Sequence, residues 1–139
     1  MMKLIVVGML FVLTSFLFCA AALMAAPPLP NDVQIVQPDT SLPRELATFS
    51  GKWYGTYVQG GKTQESFVIV EKIDEGRANL YNYSPQYGWE RYNADVIKER
   101  GKYKLWYRGR LGGYELSLKG EKLQLYSPPS STVMFIRVD

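Results

Sequence analysis

Histidine is absent from the 139-residue chain, and cysteine occurs once, as Cys19 in an apolar N-terminal run. Those absences remove Ser–His and Cys–His catalysis, imidazole or multi-thiolate zinc sites and any intrachain disulfide. An excess of one charge is missing too. The 16 Lys and Arg stand against 13 Asp and Glu, a formal charge of +3. That balance gives no reason to expect nucleic acid or a strongly acidic partner. The sequence also lacks a glycine-rich phosphate loop, a metal-ligand cluster and a nucleophile elbow. Glu65, Glu71, Glu90, Asp95, Glu99 and Glu115 are the acids available for glycoside chemistry, and no spacing groups two of them on one inner face. No enzyme, no cofactor and no metal are expected.

What is present begins with an export signal. Met1, Met2 and Lys3 form a short positive start, no residue from Leu4 to Ala26 is charged, and small residues (Ala20–Ala22, Ala25, Ala26) precede Pro27-Pro28. A charged start, apolar centre and small-residue end is the signal-peptide pattern. Cleavage is expected after Ala22 or Ala25, giving a signal over residues 1–22. The alternative is an uncleaved anchor, since the run is long enough to span a bilayer. Phe18 before Cys19 argues against a lipoprotein site. The globular part is expected outside the cytoplasm, in the periplasm or the medium, with membrane contact only through an uncleaved N-terminus.

Residues 23–42 carry Pro27, Pro28, Pro30 and Pro38 among Asn, Asp and Thr, the composition of a flexible tether. Within it Val33-Gln34-Ile35-Val36 is the one piece suited to lie on the domain as an edge strand. Pro43–Phe49 then reads as one or two helical turns, with Pro where a missing N–H costs nothing and Leu46 and Phe49 three apart on one face.

From Gly51 onward the pattern is strand and turn. Eight runs rich in aromatic and β-branched residues follow: Lys52–Gln59, Glu65–Ile73, Arg77–Ser84, Glu90–Glu99, Lys102–Arg108, Gly113–Lys119, Lys122–Tyr126 and Thr132–Val138. The short connections force antiparallel neighbours, because a parallel crossover needs a dozen or more residues. Alternation then sorts the faces: Tyr92, Ala94 and Val96; Tyr103, Leu105 and Tyr107; Tyr114, Leu116 and Leu118 point one way. One apolar face suits a single sheet wrapped on its own core. The expected fold is all-β, an antiparallel eight-stranded meander barrel with a short helical turn before strand 1, spanning residues 43–139. A two-layer sandwich is the alternative. The expected inner set is Trp53, Tyr57, Leu80, Ala94, Val96, Leu105, Leu116, Leu118, Leu123, Leu125 and Phe135. Phe67-Val68-Ile69-Val70 is apolar on both faces, so its outer side must be covered or its parity broken by a bulge.

Leu46–Gly55, reading LATFSGKWYG, resembles the start of calycin-type barrels, the lipocalins and avidins, in which a short turn leads to Gly-x-Trp on the first strand. The resemblance implies a lipocalin-like barrel in an exported bacterial protein. It further implies that an arginine near the chain's end, here Arg137, packs on Trp53. The chain is also similar to the small periplasmic inhibitors of metalloproteases, compact barrels with an extended N-terminal segment. It departs from many lipocalins in being shorter and in lacking their disulfide.

Three groups of residues are candidates for function. Trp53 and Arg137 form a structural pair at the barrel base. Tyr83, Tyr87, Trp89, Arg91 and Tyr92 surround the connection Ser84–Trp89, where rings with polar tips suit flat or carbohydrate-like ligands at a barrel mouth. The plain alternative is that these rings cover the sheet and one another. Lys102, Lys104, Trp106, Arg108 and Arg110 alternate onto one outward face as a basic, aromatic patch for an anionic envelope polymer, or as a solvated edge that blocks aggregation. The expected function is non-enzymatic binding of a small hydrophobic or carbohydrate-like ligand by a monomer. The alternatives are an envelope protein–protein module such as a protease inhibitor, and adhesion through the basic patch. Nucleic acid is not expected as a partner.

Overall fold

The computed structural model describes residues 27–129 and 131–138. The expected export signal, its expected cleavage sites and Cys19 lie outside the described residues. Each of the eight runs forms a strand. They are β1 (Gly51–Gln59), β2 (Lys62–Ile73), β3 (Arg77–Ser84), β4 (Gly88–Glu99), β5 (Lys102–Gly109), β6 (Gly112–Lys119), β7 (Lys122–Ser127) and β8 (Ser131–Val138), preceded by the single helical turn α1 (Arg44–Ala47). Each strand pairs antiparallel with the next, and β8 returns to β1, so the sheet is a closed barrel in meander order. Closure removes both sheet edges. The sandwich alternative is thereby excluded.

The barrel closes where β1 meets β8, and the two strands approach closely there. A Cβ on Gly55 would lie 2.5 Å from the carbonyl oxygen of Met134 and 3.0 Å from the Phe135 ring. Only glycine permits that approach. The inner face carries Trp53, Val68, Val70, Leu80, Ala94, Leu105, Tyr107, Leu116, Leu123 and Phe135, all buried. Tyr57, Val96 and Leu118 of the expected inner set are partly exposed, and the last two pack against this core. Leu46 and Phe49 of the α1 turn are fully buried and plug the base.

At that base Trp53 donates from Nε1 to the Phe49 carbonyl at 3.0 Å. The Arg137 guanidinium carbon lies 4.2 Å from the centre of the Trp53 ring. Its two terminal nitrogens donate to the carbonyls of Ser50 and Thr48. One side chain thus ties β8, β1 and the α1 turn together.

The double-sided apolar run in β2 is resolved by both devices. The pairing of β2 with β3 slips between Val70 and Lys72, a bulge at Glu71. The outer side is covered by the N-terminal segment. The Val36 amide donates to the Glu71 carbonyl at 2.7 Å, and Trp89 Nε1 donates to the Pro28 carbonyl at 2.9 Å. Burial, together with the nearby Asp32 carboxylate, pushes the Tyr81 phenol above its usual range. Ile69 and Tyr81, on the outer face, are accordingly buried. The stretch expected to be a tether is therefore seated on the barrel wall at these points, with Val36 joined to β2 by one backbone bond rather than a strand ladder.

Trp89→Ala removes one of these anchor points and two aromatic contacts. Because the ring is only partly buried, the expected loss is about 1–2 kcal/mol of unfolding free energy, read from thermal melts.

Candidate functional site

The end of the barrel opposite α1 is open. A cavity of about 310 Å³ enters there, lined from β1 by Tyr57, from β2 and β3 by Ser66 and Asn82, from β4 by Glu90 and Tyr92, and from the β5–β6 hairpin and β6 by Arg110 and Tyr114, with Tyr87 and Gln86 at the rim. Its volume is at the lower end of the ligand-pocket range, about 300–1,000 Å³.

Strand parity explains which residues face it. Ala94 and Tyr92 alternate inward along β4, and the next inward position is Glu90. Tyr92 stacks on the buried Tyr107 with ring centres 5.1 Å apart, and Tyr107 stacks on Tyr114 at 5.3 Å. This stack is one wall of the cavity. On the other, Asn82 Nδ2 donates to the Tyr107 hydroxyl at 3.3 Å, and Ser66 Oγ donates to the Tyr83 carbonyl at 3.1 Å. These bonds fix the amide and hydroxyl of the wall in place.

The cavity's charges are one acid and one base. Glu90 accepts a hydrogen bond from the Tyr92 hydroxyl through one oxygen and from Arg110 Nε through the other. The Arg110 guanidinium also lies 4.6 Å above the Tyr87 ring. The Tyr92 hydroxyl, with help from Arg110, holds the Glu90 carboxyl below the usual carboxylate range despite its partial burial. Burial and the same carboxylate push the Tyr92 phenol up to about 12. At neutral pH the pair is therefore an ionised acid beside a neutral phenol.

Of the residues expected at the mouth, Tyr87 and Tyr92 line the cavity. Tyr83, Trp89 and Arg91 do not. β4 begins at Gly88, not at Glu90, so Trp89 is a strand residue with outward parity and Tyr83 is its cross-strand partner. Their rings pack at 5.3 Å, and Phe67 joins both, with Tyr54 beyond it. Here the aromatics cover the sheet and one another. Arg91 lies outside as well, 3.9 Å from Glu71 and over Tyr81 at 5.7 Å.

The basic patch is divided. Lys102, Lys104, Trp106 and Arg108 do share the outer face of β5. Lys104, however, is bound by Glu99 at 2.8 Å and Glu115 at 3.2 Å. Arg110 is not on that face. It belongs to the β5–β6 turn and reaches over the mouth to Glu90. Lys102 and Arg108 are exposed.

Glu90, Asn82, Ser66 and Tyr114 are the cavity residues that a search for exposed aromatic loops does not reach. The signal that finds them is strand parity counted from Val68, Leu80, Ala94 and Leu116. Among the described residues no group of three or more Asp, Glu, His or Cys is placed to hold a metal ion.

The closed eight-stranded meander is consistent with a calycin-like barrel. Comparison with protein-family profiles, with curated proteins and with solved structures gives no match.

Proposed function

We propose that this protein is an exported, non-enzymatic binding module that takes a small, carbohydrate-like ligand into the open end of its barrel. The observation that carries this reading is the mouth cavity, where tyrosine faces alternate with fixed hydrogen-bonding groups. Ring faces suit the apolar faces of a sugar, and the Ser66, Asn82 and Glu90 groups suit its hydroxyls. A purely hydrophobic ligand would cut off from water the hydrogen-bonding capacity these groups have left, at a cost of about 1–3 kcal/mol for each buried donor or acceptor left unmet. Export is supported by the charged start, apolar run and alanine cluster of residues 1–26. The Gly51-Lys52-Trp53 start with Arg137 over the ring supports a lipocalin-like origin for the barrel. Closure without a free edge supports a monomer.

The open mouth and the seating of the N-terminal segment favour a small ligand over a protease, which would require a filled barrel and a free insertion segment. The pairing of Lys104 with two acids, and of Arg110 with Glu90, likewise favours the cavity over a basic surface for anionic polymers.

The test is a titration of the isotope-labelled protein with neutral mono- and disaccharides and, separately, with medium-chain fatty acids. Amide shifts are expected with the saccharides, centred on Tyr57, Asn82, Tyr92 and Tyr114. Shifts confined to the outer face of β5, or none with either class, overturn the reading.

A further inference from the structure

Among the residues that line the cavity, Glu90 and Arg110 alone carry charge, and they are held in different ways. Glu90 projects from the inner face of a central strand, its side chain one-fifth exposed, and is fixed by the Tyr92 hydroxyl. Arg110 stands on a two-residue turn with its side chain 59% exposed, and reaches back over the mouth. The acid is therefore built into the wall, whereas the base stands on a surface turn. The foot of that turn is firm. Gly109 lies directly against the Tyr114 ring, where a Cβ would collide with it. At the tip, Arg110 is held by its side chain on Glu90 and Tyr87, and Leu111 is 78% exposed.

With Arg110 seated, the pair is neutral. With Arg110 turned outward, an ionised carboxylate held by Tyr92 faces the cavity, flanked by the Tyr87, Tyr92 and Tyr114 rings. A carboxylate among aromatic faces is a site for a cation, because ring quadrupoles and the full negative charge attract the same sign. The guanidinium in the structure shows the fit directly: one N–H to a Glu90 oxygen, and the flat cation over Tyr87 at 4.6 Å.

We infer that the mouth cavity selects an organic cation bearing N–H donors, an ammonium or guanidinium group on a hydroxylated body such as an amino sugar, and that Arg110 is an internal substitute which this cation displaces from Glu90 and Tyr87. The inference rests on the proposed binding function and narrows its ligand class. The N–H donors matter because the freed Glu90 oxygen needs a hydrogen bond that a quaternary ammonium does not supply. The hydroxylated body matters because Asn82, the cross-strand partner of Glu90, and Ser66 line the same cavity. Arg110 then acts as a gate on affinity. Every fraction of time it spends on Glu90 weakens the apparent binding of the competing cation by that fraction.

Calorimetric titration of the full chain with glucosamine, methylguanidinium, tetramethylammonium and glucose tests the inference. Glucosamine and methylguanidinium separate the ammonium and guanidinium forms of the ligand. At least one of them is expected to bind more tightly than glucose, with tetramethylammonium weakest, and added salt should weaken the cations selectively. Arg110→Ala is expected to tighten cation binding about tenfold, as for an internal competitor seated about nine-tenths of the time. Glu90→Gln, which keeps the hydrogen bond to Tyr92, should abolish the preference for cations over glucose. Should Glu90→Gln fail to fold, Tyr87→Leu on the exposed rim is expected to weaken cation binding several-fold more than it weakens glucose binding.

Glucose binding as tightly as both glucosamine and methylguanidinium, or Arg110→Ala leaving cation affinity unchanged or weaker, overturns the inference while leaving the saccharide site standing. Binding by none of the four overturns the inference as well. The wider reading is then decided separately by the disaccharide and fatty-acid titrations.

Discussion

Trp53→Ala is expected to lower the unfolding free energy by about 3–5 kcal/mol, the cost of deleting a large buried aromatic and leaving a cavity behind. Small domains of this kind have about 5–15 kcal/mol in total, so the variant is expected to be marginal or unfolded at ambient temperature. The reason lies in what the ring organises. Trp53 is 1% exposed and donates to the Phe49 carbonyl, fastening the α1 turn beneath the barrel. Arg137 covers its outer face and binds the Ser50 and Thr48 carbonyls. Arg137→Ala should cost less, about 1–3 kcal/mol for the lost hydrogen bonds to a charged donor and the cation–π contact. Denaturant melts of both single variants and the double variant separate the terms. The coupling between the two residues is expected at about 0.5–2 kcal/mol, so the double variant loses less than the sum. Strict additivity would mean that Arg137 and Trp53 stabilise the base independently.

The barrel was legible because it depends on local rules that act within each hairpin. Turns of two or three residues admit only antiparallel neighbours, and eight strands in meander order meet their first strand again. The inner set followed from alternation, and Trp53, Leu80, Leu105 and Phe135 are where period two puts them. The candidate mouth was legible only in part, and the cause was one boundary. Taking β4 to begin at Glu90 left Trp89 in a loop, free to face any direction. Beginning at Gly88 gives Trp89 a parity, and the parity is outward. Ring type therefore misdirects where strand phase decides. Arg110 shows the converse: alternation was extended past the end of β5 into a turn, where the period no longer holds. The contact between Glu90 and Arg110 joins residues twenty apart across two strands, and no local pattern marks it. Nor does any local pattern show that the proline-rich segment lies on β2–β4. That placement follows from Ile69 and Tyr81, which need cover once the sheet has closed.

Tyr107→Ala should rank beside Trp53→Ala, at about 3–5 kcal/mol, because the side chain is large and 1% exposed. Its neighbours make the loss a functional one too, since Tyr107 lies between Tyr92 and Tyr114 and supports the cavity wall from behind. Tyr107→Phe keeps the stack and removes only the hydroxyl that accepts from Asn82, so about 0.5–1.5 kcal/mol is expected at neutral pH. The conservative variant has a second signature, in alkali. Burial drives the Tyr107 phenol above its ordinary value of 10.0, and burial with Glu90 drives Tyr92 up to about 12. A group whose pKa is raised by folding holds its proton more tightly in the folded state. Its contribution is complete below the unfolded value and is lost as pH rises above it. Stability should therefore fall from about pH 10 upward, with the tyrosinate absorbance of these two phenols appearing together with unfolding rather than before it. In Tyr107→Phe that fall should be shallower, because one fewer suppressed phenol is released on unfolding. With no histidine in the chain, stability should be nearly flat between about pH 6 and pH 9, where no side chain of the barrel titrates near its ordinary value. Denaturant melts across the pH range read all three features. A Tyr107→Phe slope in alkali as steep as that of the parent would mean that the Tyr107 phenol ionises while the barrel is still folded, and that the stack beneath the mouth is open to water.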